Sequence, residues 1–468
     1  MAFMKNFSLV LVALTFAHSS FASTIAIIDS GSDYRHTALS AQYELNPRPS
    51  ALPPYINDVY GWNFAENNNT VIDYKYLEVL KLVMPDIQKF FVLQVRSLDK
   101  TATPADIAWL KLKRNDDEFI KKIGIFGNFA HGTHVAGITG GHSTKVDPDN
   151  HPFAVKIIPT EVKLPFSVQF TKTEQFRAIS NPVSKFSMGV GLRETLFVSA
   201  LRGLASFQTK IFSKVGAYVN MRGADVANGS FGTGYSQLKG VVEMLYNMVF
   251  SESERSPVKL AQFTKDYMSL IIMKSRVMVD SAPHTLFVFA AGNEGTNNDV
   301  EPVSPANIRA ENSMVVAATL RNRELAVFSN YGLMVDVAAP GVGISSLYPG
   351  NERGLMSGTS QASPYVAGVA GTMKNINPGL KPIELKSILM DTVDAKKWLV
   401  NKVKSGGVVN PERAYEAARL TNQGMTPFMA SVAARKRVAD VPTEAPSVKA
   451  PPSMDDIYGI MPLISPVN

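Results

Sequence analysis

Two hydroxyls, Ser357 and Ser360, stand among glycines in the run M-S-G-T-S-Q-A-S-P-Y-V-A-G-V-A-G that spans Met356 to Gly371. A serine hydroxyl attacks a carbonyl only when a base takes its proton and an acid orients that base. The small residues Ala362, Val366, Ala367, Gly368 and Ala370 predict a helix able to press closely on neighbouring backbone, with Pro364 expected in its first turn. Ser360 would then sit at the helix mouth, where unpaired N–H groups favour the negative charge that grows on an attacked carbonyl oxygen. Alone, the pattern describes a buried, glycine-rich helix start equally well.

Partners for such a serine stand upstream. Thr24 to Ile28 form a short apolar run that stops abruptly at Asp29, Ser30 and Gly31, as in a strand buried on both faces that delivers a polar residue at its C-terminal end. Asp29 is a candidate acid; an aspartate before glycine is also an ordinary turn residue. His131 opens H-G-T-H-V-A-G-I-T-G, read as a loop feeding a second small-residue helix, with His131 facing a cleft and His134 packed inside. Two histidines three apart could bind zinc, but the glutamate of an H-E-x-x-H arrangement is missing, so no metal is assigned. Leu286 to Ala291 form another apolar strand, ending in Gly292, Asn293, Glu294 and Gly295. The Asn293 amide is suited to donate a hydrogen bond to a developing oxyanion, or else to occupy a left-handed turn. Asp147, Asp149 and Asn150 could touch calcium or simply form a turn; no clear calcium motif exists and no cofactor is expected.

These side chains need a frame. Strands and helices alternate across 25 to 420, which argues for one α/β domain with a mainly parallel central sheet. Further strands are expected at Val155 to Ile158, at Ala224 to Gly234 with its glycine-rich edge, at Val315 to Ala318 and at Val335 to Ala338. Helices are expected at Leu192 to Phe207, Leu238 to Phe250, Val258 to Val279 and Pro382 to Met390, with one more opening near Gly406 to Ala414. The charged, amphipathic block 73–122 carries no nameable chemistry and reads as a helical insertion. Past Leu420 the prolines at 442, 446, 451 and 452 predict a partly disordered tail, 421–468.

Composition narrows the function classes. A chain of 468 residues with 45% hydrophobic content can bury a sizeable core. The net charge of +7 is scattered, and Arg435 to Arg437 form the one tight basic cluster, which weighs against nucleic-acid binding. With no cysteine, disulfides and thiol nucleophiles are excluded. Lys5, the apolar run Phe7 to Phe16, and the small residues Ser20 and Ala22 predict a signal peptide over 1–22, hence a secreted or periplasmic protein. No later apolar run is long enough for a membrane span.

Taken together, the chain resembles the subtilisin-like serine proteases, the subtilases. Four blocks carry the likeness: I-I-D-S-G at 27–31, H-G-T-H-V-A-G at 131–137, A-A-G-N-E-G at 290–295 and G-T-S-Q-A-S-P at 358–364. Their chain order, Asp, His, Asn, Ser, differs from that of chymotrypsin-like and α/β-hydrolase triads. The resemblance implies a subtilisin-like three-layer sandwich with helices on both faces of the sheet. It implies Ser360 as nucleophile, His131 as proton acceptor and donor, Asp29 as the group orienting His131, and Asn293 with the Ser360 N–H as oxyanion holders. Ser230, Phe231 and Gly232 would form one wall of the primary specificity pocket and Ala290, Ala291 and Gly292 the other. With no charge on either wall, apolar or bulky uncharged residues are expected before the cut.

Departures from the family pattern are also legible. Asp29 and His131 lie 102 residues apart, an unusually long gap that places the 73–122 insertion beside the cleft. Asp29 follows the expected cleavage point by seven residues, leaving no room for an N-terminal inhibitory prodomain or for the extension that helps form a common calcium site. The tail after Leu420 could occupy the cleft or be trimmed at maturation. The expected function is that of a secreted serine endopeptidase acting on protein or peptide substrates. The alternatives are a catalytically silent subtilase fold that binds peptides along its sheet edge, and an esterase or amidase for small substrates.

Overall fold

A computed structural model of the chain describes residues 22–142, 148–161, 190–321 and 323–441. The expected signal peptide up to residue 21, Asp147 and the tail from 442 onward lie outside the described residues.

Strand β1 (Thr24–Asp29) is the runs-buried-on-both-faces type that its sequence demands: Ile25, Ala26, Ile27 and Ile28 are fully buried. It pairs in parallel with β3 (His151–Lys156) on one side and β4 (Val226–Gly229) on the other. Beyond β3 lies β2 (Gly61–Asn63); beyond β4 come β5 (Leu286–Ala290), β6 (Ser313–Thr319), β7 (Val337–Pro340), β11 (Gly407–Val408) and β10 (Asp394–Ala395). All neighbours in this sheet run parallel except the edge pair β10 and β11. Parallel strands share one C-terminal edge, so whatever follows β1, β4 and β5 meets there.

Two helices lead from the cleft edge back across the sheet, α4 (Asp117–Thr139) between β2 and β3, and α5 (Val190–Met221) between β3 and β4. Both crossovers step the same way along the strand order, from β2 to β3 and from β3 past β1 to β4. They pack with different partners, α4 with α8 and α5 with α7, and these pairs form the helical layers on the sheet. Helix α8 (Thr359–Ile376) packs on α4 and across β4 to β7, while α7 (Pro257–Asp280) runs against α5, with α6 (Tyr235–Val249) alongside α7. Val366, Val369 and Ala370 of α8 and Val215, Tyr218 and Met278 of α5 and α7 belong to one core with the strands.

Pro364 corrects the reading that put it in the first helical turn. It lies deeper inside α8, where its missing N–H cannot pair with the Ser360 carbonyl one turn back. The Ser230 hydroxyl donates to that carbonyl instead, at 2.9 Å. A second correction concerns His131, expected at a loop-to-helix junction. Helix α4 starts fourteen positions earlier, capped by the Asp116 carboxylate on the Phe119 N–H, and passes through His131 without a break. Phe119, Ile123, Phe126 and Phe129 keep helical spacing through Gly124 and Gly127, and burial of that face outweighs the low helix propensity of the glycines.

That early portion of α4 belongs to the insertion. Helices α1 (Lys75–Leu80), α2 (Met84–Leu98) and α3 (Pro104–Arg114) surround it, the last started by a Thr103 and Asp106 capping box. Phe90, Phe91, Phe119 and Phe126 form a separate core there, joined by Tyr348 and Met356 from the hairpin of β8 (Ile344–Tyr348) and β9 (Glu352–Met356).

Towards the C-terminus, α9 (Pro382–Asp391) and α10 (Pro411–Asn422) are followed by α11 (Pro427–Arg437). The boundary drawn at 420 from composition thus falls inside packed structure. Ala430, Ser431 and Ala434 are buried, and Arg413 donates to the Val438 carbonyl at 2.8 Å and the Asp440 carboxylate at 2.6 Å. Among the described residues no helix is long and apolar enough to cross a membrane.

Candidate active site

Asp29 ends β1 fully buried, and its Oδ1 accepts the Ser30 N–H at 2.6 Å and His131 Nδ1 at 2.7 Å. A carboxylate only accepts, so this contact puts the proton on Nδ1 and leaves Nε2 as the basic nitrogen. Close approach of α4 to the β1 loop makes the contact possible. A Cβ on Gly132 would lie 2.0 Å from the Gly31 carbonyl oxygen, and the Gly132 N–H donates to the Ser30 hydroxyl at 3.0 Å. Gly31 itself has φ +93°. Behind it, Lys156 of β3 donates to the Ser30 carbonyl at 2.9 Å and to Thr160 Oγ1 at 3.1 Å. Burial lowers its pKa to about 8.

His134 packs inside, as its place one turn further along α4 suggested. Its Nε2 donates to the Ile344 and Gly354 carbonyls at 3.0 and 3.3 Å, which pins the β8–β9 hairpin to α4. Burial drives its pKa down to about 3, so the ring is neutral. Among the described residues no group of three or more His, Asp or Glu side chains is placed to hold a metal ion. Asn150 is occupied structurally, its amide donating to the Thr139 and Gly368 carbonyls at 3.0 and 2.9 Å.

Ser360 lies in the first turn of α8, with Oγ 3.4 Å from the Ser230 carbonyl oxygen. Strand β4 holds this turn through a relay: Asn228 Nδ2 donates to Ser230 Oγ at 2.9 Å, and that hydroxyl donates to the Ser360 carbonyl. Asn293 leaves the end of β5 with its Oδ1 accepting both the Thr359 N–H and the Thr359 hydroxyl, each at 2.9 Å. Its carbonyl end is thereby occupied and its Nδ2 lies on the Gly358 side, 3.6 Å from where a Cβ on that glycine would stand. The left-handed positions of this loop fall on Gly292 and Gly295 (φ +112° and +68°), not on Asn293.

His131, Asn293 and Ser360 line one cleft of about 80 Å³, together with Ser230, Phe231, Gly232, Ala290 and Gly292. Ala291 is the exception among the expected wall residues. Alternation along β5 turns it away from Ala290 and Gly292, and it is fully buried against Val303, Ala306 and Val315. The expectation of uncharged walls also fails. Glu294 lines the cleft, its two carboxyl oxygens each 2.7 Å from where Cβ atoms on Gly234 and Gly292 would be, and it accepts from Asn330 Nδ2 at 2.8 Å. Burial raises its pKa above the usual carboxylate range. Its place directly after Asn293 was the available signal. Phe91, Gly127 and Met356 also reach the cleft, the first of them from the block 73–122, in which sequence alone shows no chemistry.

Known proteins bear on this arrangement. The model of the subtilase family matches residues 22–424. Alkaline elastase YaB of Bacillus sp. (strain YaB) is 39% identical over 143 residues, 30% of this chain and 36% of the relative. Subtilisin BL of Lederbergia lenta is 37% identical over 129 residues, 28% of this chain and 45% of the relative. The matched region thus spans less than half the length of these curated relatives. A crystal structure of a cold adapted subtilisin-like serine proteinase aligns with 84% of this chain and 88% of its own, at 20% identity and a TM-score of 0.42. The family match runs over more than four-fifths of the sequence and takes in all four blocks around the cleft, so the chain belongs to the subtilase family.

Proposed function

We propose that the protein is an exported serine endopeptidase that hydrolyses peptide bonds in proteins. The observation that carries this reading is the 2.7 Å Asp29–His131 contact at the back of a cleft that also holds Ser360 and Asn293. In the proposed cycle His131 Nε2 takes the Ser360 proton as Oγ adds to the scissile carbonyl. Asn293 Nδ2 and the Ser360 N–H, at the positive end of α8, receive the charge that forms on the carbonyl oxygen. The imidazolium, stabilised by buried Asp29, then protonates the leaving amine, and water repeats the sequence on the acyl-enzyme. The 3.4 Å contact of Ser360 Oγ with the Ser230 carbonyl is long, and a bound substrate readily replaces it. Export rests on Lys5 and the apolar run that follows it.

A fluorophosphonate probe on the native full-length chain tests the reading. Labelling is expected at Ser360 and is expected to vanish in His131→Ala, because the hydroxyl loses its base. A folded wild-type chain that resists the probe would favour the silent peptide-binding alternative.

Substrate preference before the cut follows from the walls. Phe231, Ala290 and Val303 offer an apolar lining for a long stem, and the Glu294 carboxylate offers a terminus for a cation. Glu294→Gln is expected to lower kcat/KM about tenfold for substrates with Lys before the scissile bond and to leave those with Leu nearly unchanged. Because burial raises the Glu294 pKa, the carboxylate is charged only above that raised value. The wild-type preference for Lys over Leu is therefore expected to fade on acidification at a higher pH than an ordinary glutamate would give. Ratios of kcat/KM for paired Lys and Leu peptides across pH would measure both effects. A Lys/Leu ratio equal in wild type and Glu294→Gln would reject the assignment.

A further inference from the structure

We propose that Phe91 of the helical insertion, with Gly127 of α4 and Met356 of β9, builds a second, apolar subsite, which receives the side chain of the residue immediately after the cut. This rests on the endopeptidase reading above and extends it to the leaving-group side.

The residues lining the cleft fall into two groups around His131 and Ser360. One group, Ser230 to Gly232 with Ala290, Gly292 and Glu294, belongs to the C-terminal ends of β4 and β5. Phe91 from α2, Gly127 from α4 and Met356 from β9 form the other. The first group accounts for the acyl half of a substrate. The proposed chemistry fixes what the second must meet. His131 hands its proton to the departing amine, so the chain beyond the cut leaves past the imidazole. Gly127 stands one helical turn before His131 on the same face of α4. It does so only because α4 continues through His131 into the insertion. At that place Gly127 lines the cleft with no side chain of its own.

The flanking walls are apolar and firmly held. Phe91 and Met356 are 4% and 3% exposed, packed in one core with Phe126 and Tyr348, so the surface they still show is turned to the cleft. Side chains locked by such packing present a preformed pocket and lose little freedom when it fills. None of the three carries charge, and Glu294 stands in the opposite group. A substrate residue of matching chemistry is aliphatic or aromatic: Leu, Met or Phe in preference to Gly, and against Asp or Lys, whose charge would lose its water without a partner.

The experiment uses the full-length protein and a set of internally quenched peptides that share one acyl half and differ only in the residue after the cut. Wild type is expected to favour Leu over Gly at that position by about tenfold in kcat/KM, the scale on which an apolar pocket discriminates. In Phe91→Ala the Leu/Gly ratio is expected to fall at least about fivefold, and in Gly127→Ala the preference is expected to shift from Phe towards smaller residues. Both members of each ratio meet the same folded fraction, so the readout is blind to any loss of stability. A second peptide set varied before the cut is expected to show no change of profile in either variant. Cleavage with a flat profile after the cut, or ratios in both variants within about twofold of wild type, would overturn the subsite alone. A wild-type chain that neither cleaves nor takes the fluorophosphonate probe would overturn the endopeptidase reading and the subsite with it.

Discussion

Ser360→Ala is expected to lower kcat on a protein substrate by about 10⁶-fold while changing KM little. The scale is that of subtilisin, a member of the same family, and is borrowed from it rather than worked out from this cleft. The reason for the split lies in the geometry. Ser360 Oγ makes one long contact in the resting cleft, so its removal takes little from ground-state binding. In the proposed mechanism it takes away the atom that forms the covalent bond, and what would survive comes from Asn293, the α8 terminus and the walls acting on an attacking water. Purified variant and wild type assayed on one unfolded protein would measure the loss. Activity within tenfold of wild type would remove Ser360 from the mechanism.

Asp29→Asn is expected to lower kcat by about 10⁴-fold, again on the scale known for the equivalent change in a serine-protease triad. Asp29 Oδ1 accepts from two donors, the Ser30 N–H and His131 Nδ1. An asparagine whose carbonyl oxygen takes the place of Oδ1 still accepts both bonds, so what the substitution removes is the negative charge beside the ring. Without that charge the imidazolium that forms as His131 takes the Ser360 proton is left unstabilised in a buried site, and the proton transfer slows. Size and burial are conserved, so thermal unfolding is expected to move far less than turnover. A variant that folds normally and retains more than about a tenth of wild-type kcat would show that the Asp29 charge does not support the proton transfer.

The parts of this molecule that were legible in sequence share a physical cause. Strands of a covered parallel sheet are continuous apolar runs, so their ends are abrupt, and Asp29 and Asn293 were recognisable as polar residues placed at such ends. The small residues of α8 signalled close packing in the same way, and a Cβ on Gly371 would indeed meet Asn150 Oδ1 at 2.6 Å. Legibility failed where tertiary packing overrode a local rule. His131 reads as a loop-to-helix junction, but buried aromatic residues on one face carry α4 through Gly124 and Gly127 and on past it. Pro364 read as a first-turn residue because its compensation, the Ser230 hydroxyl, stands 134 positions earlier in the chain. Ala291 could have been separated from Ala290 and Gly292 by strand alternation alone. The charge of Glu294 stands in sequence directly beside the Asn293 amide. The approach of Phe91 to the cleft has no local signature, since it depends on how three helices stack on a fourth.

The uninterrupted course of α4 makes the appendage and the imidazole one mechanical piece. At 1.5 Å per residue, its 23 residues form a rod about 34 Å long, anchored at one end among the outer helices and at the other on the sheet. Force or thermal agitation applied to the outer bundle has no hinge in which to dissipate before it reaches the ring. Trimming the bundle would strip the cover from Phe119, Ile123 and Phe126, and fraying would advance along the rod towards His131. An outlying decoration has in this way become a structural tenant of the proposed catalytic geometry.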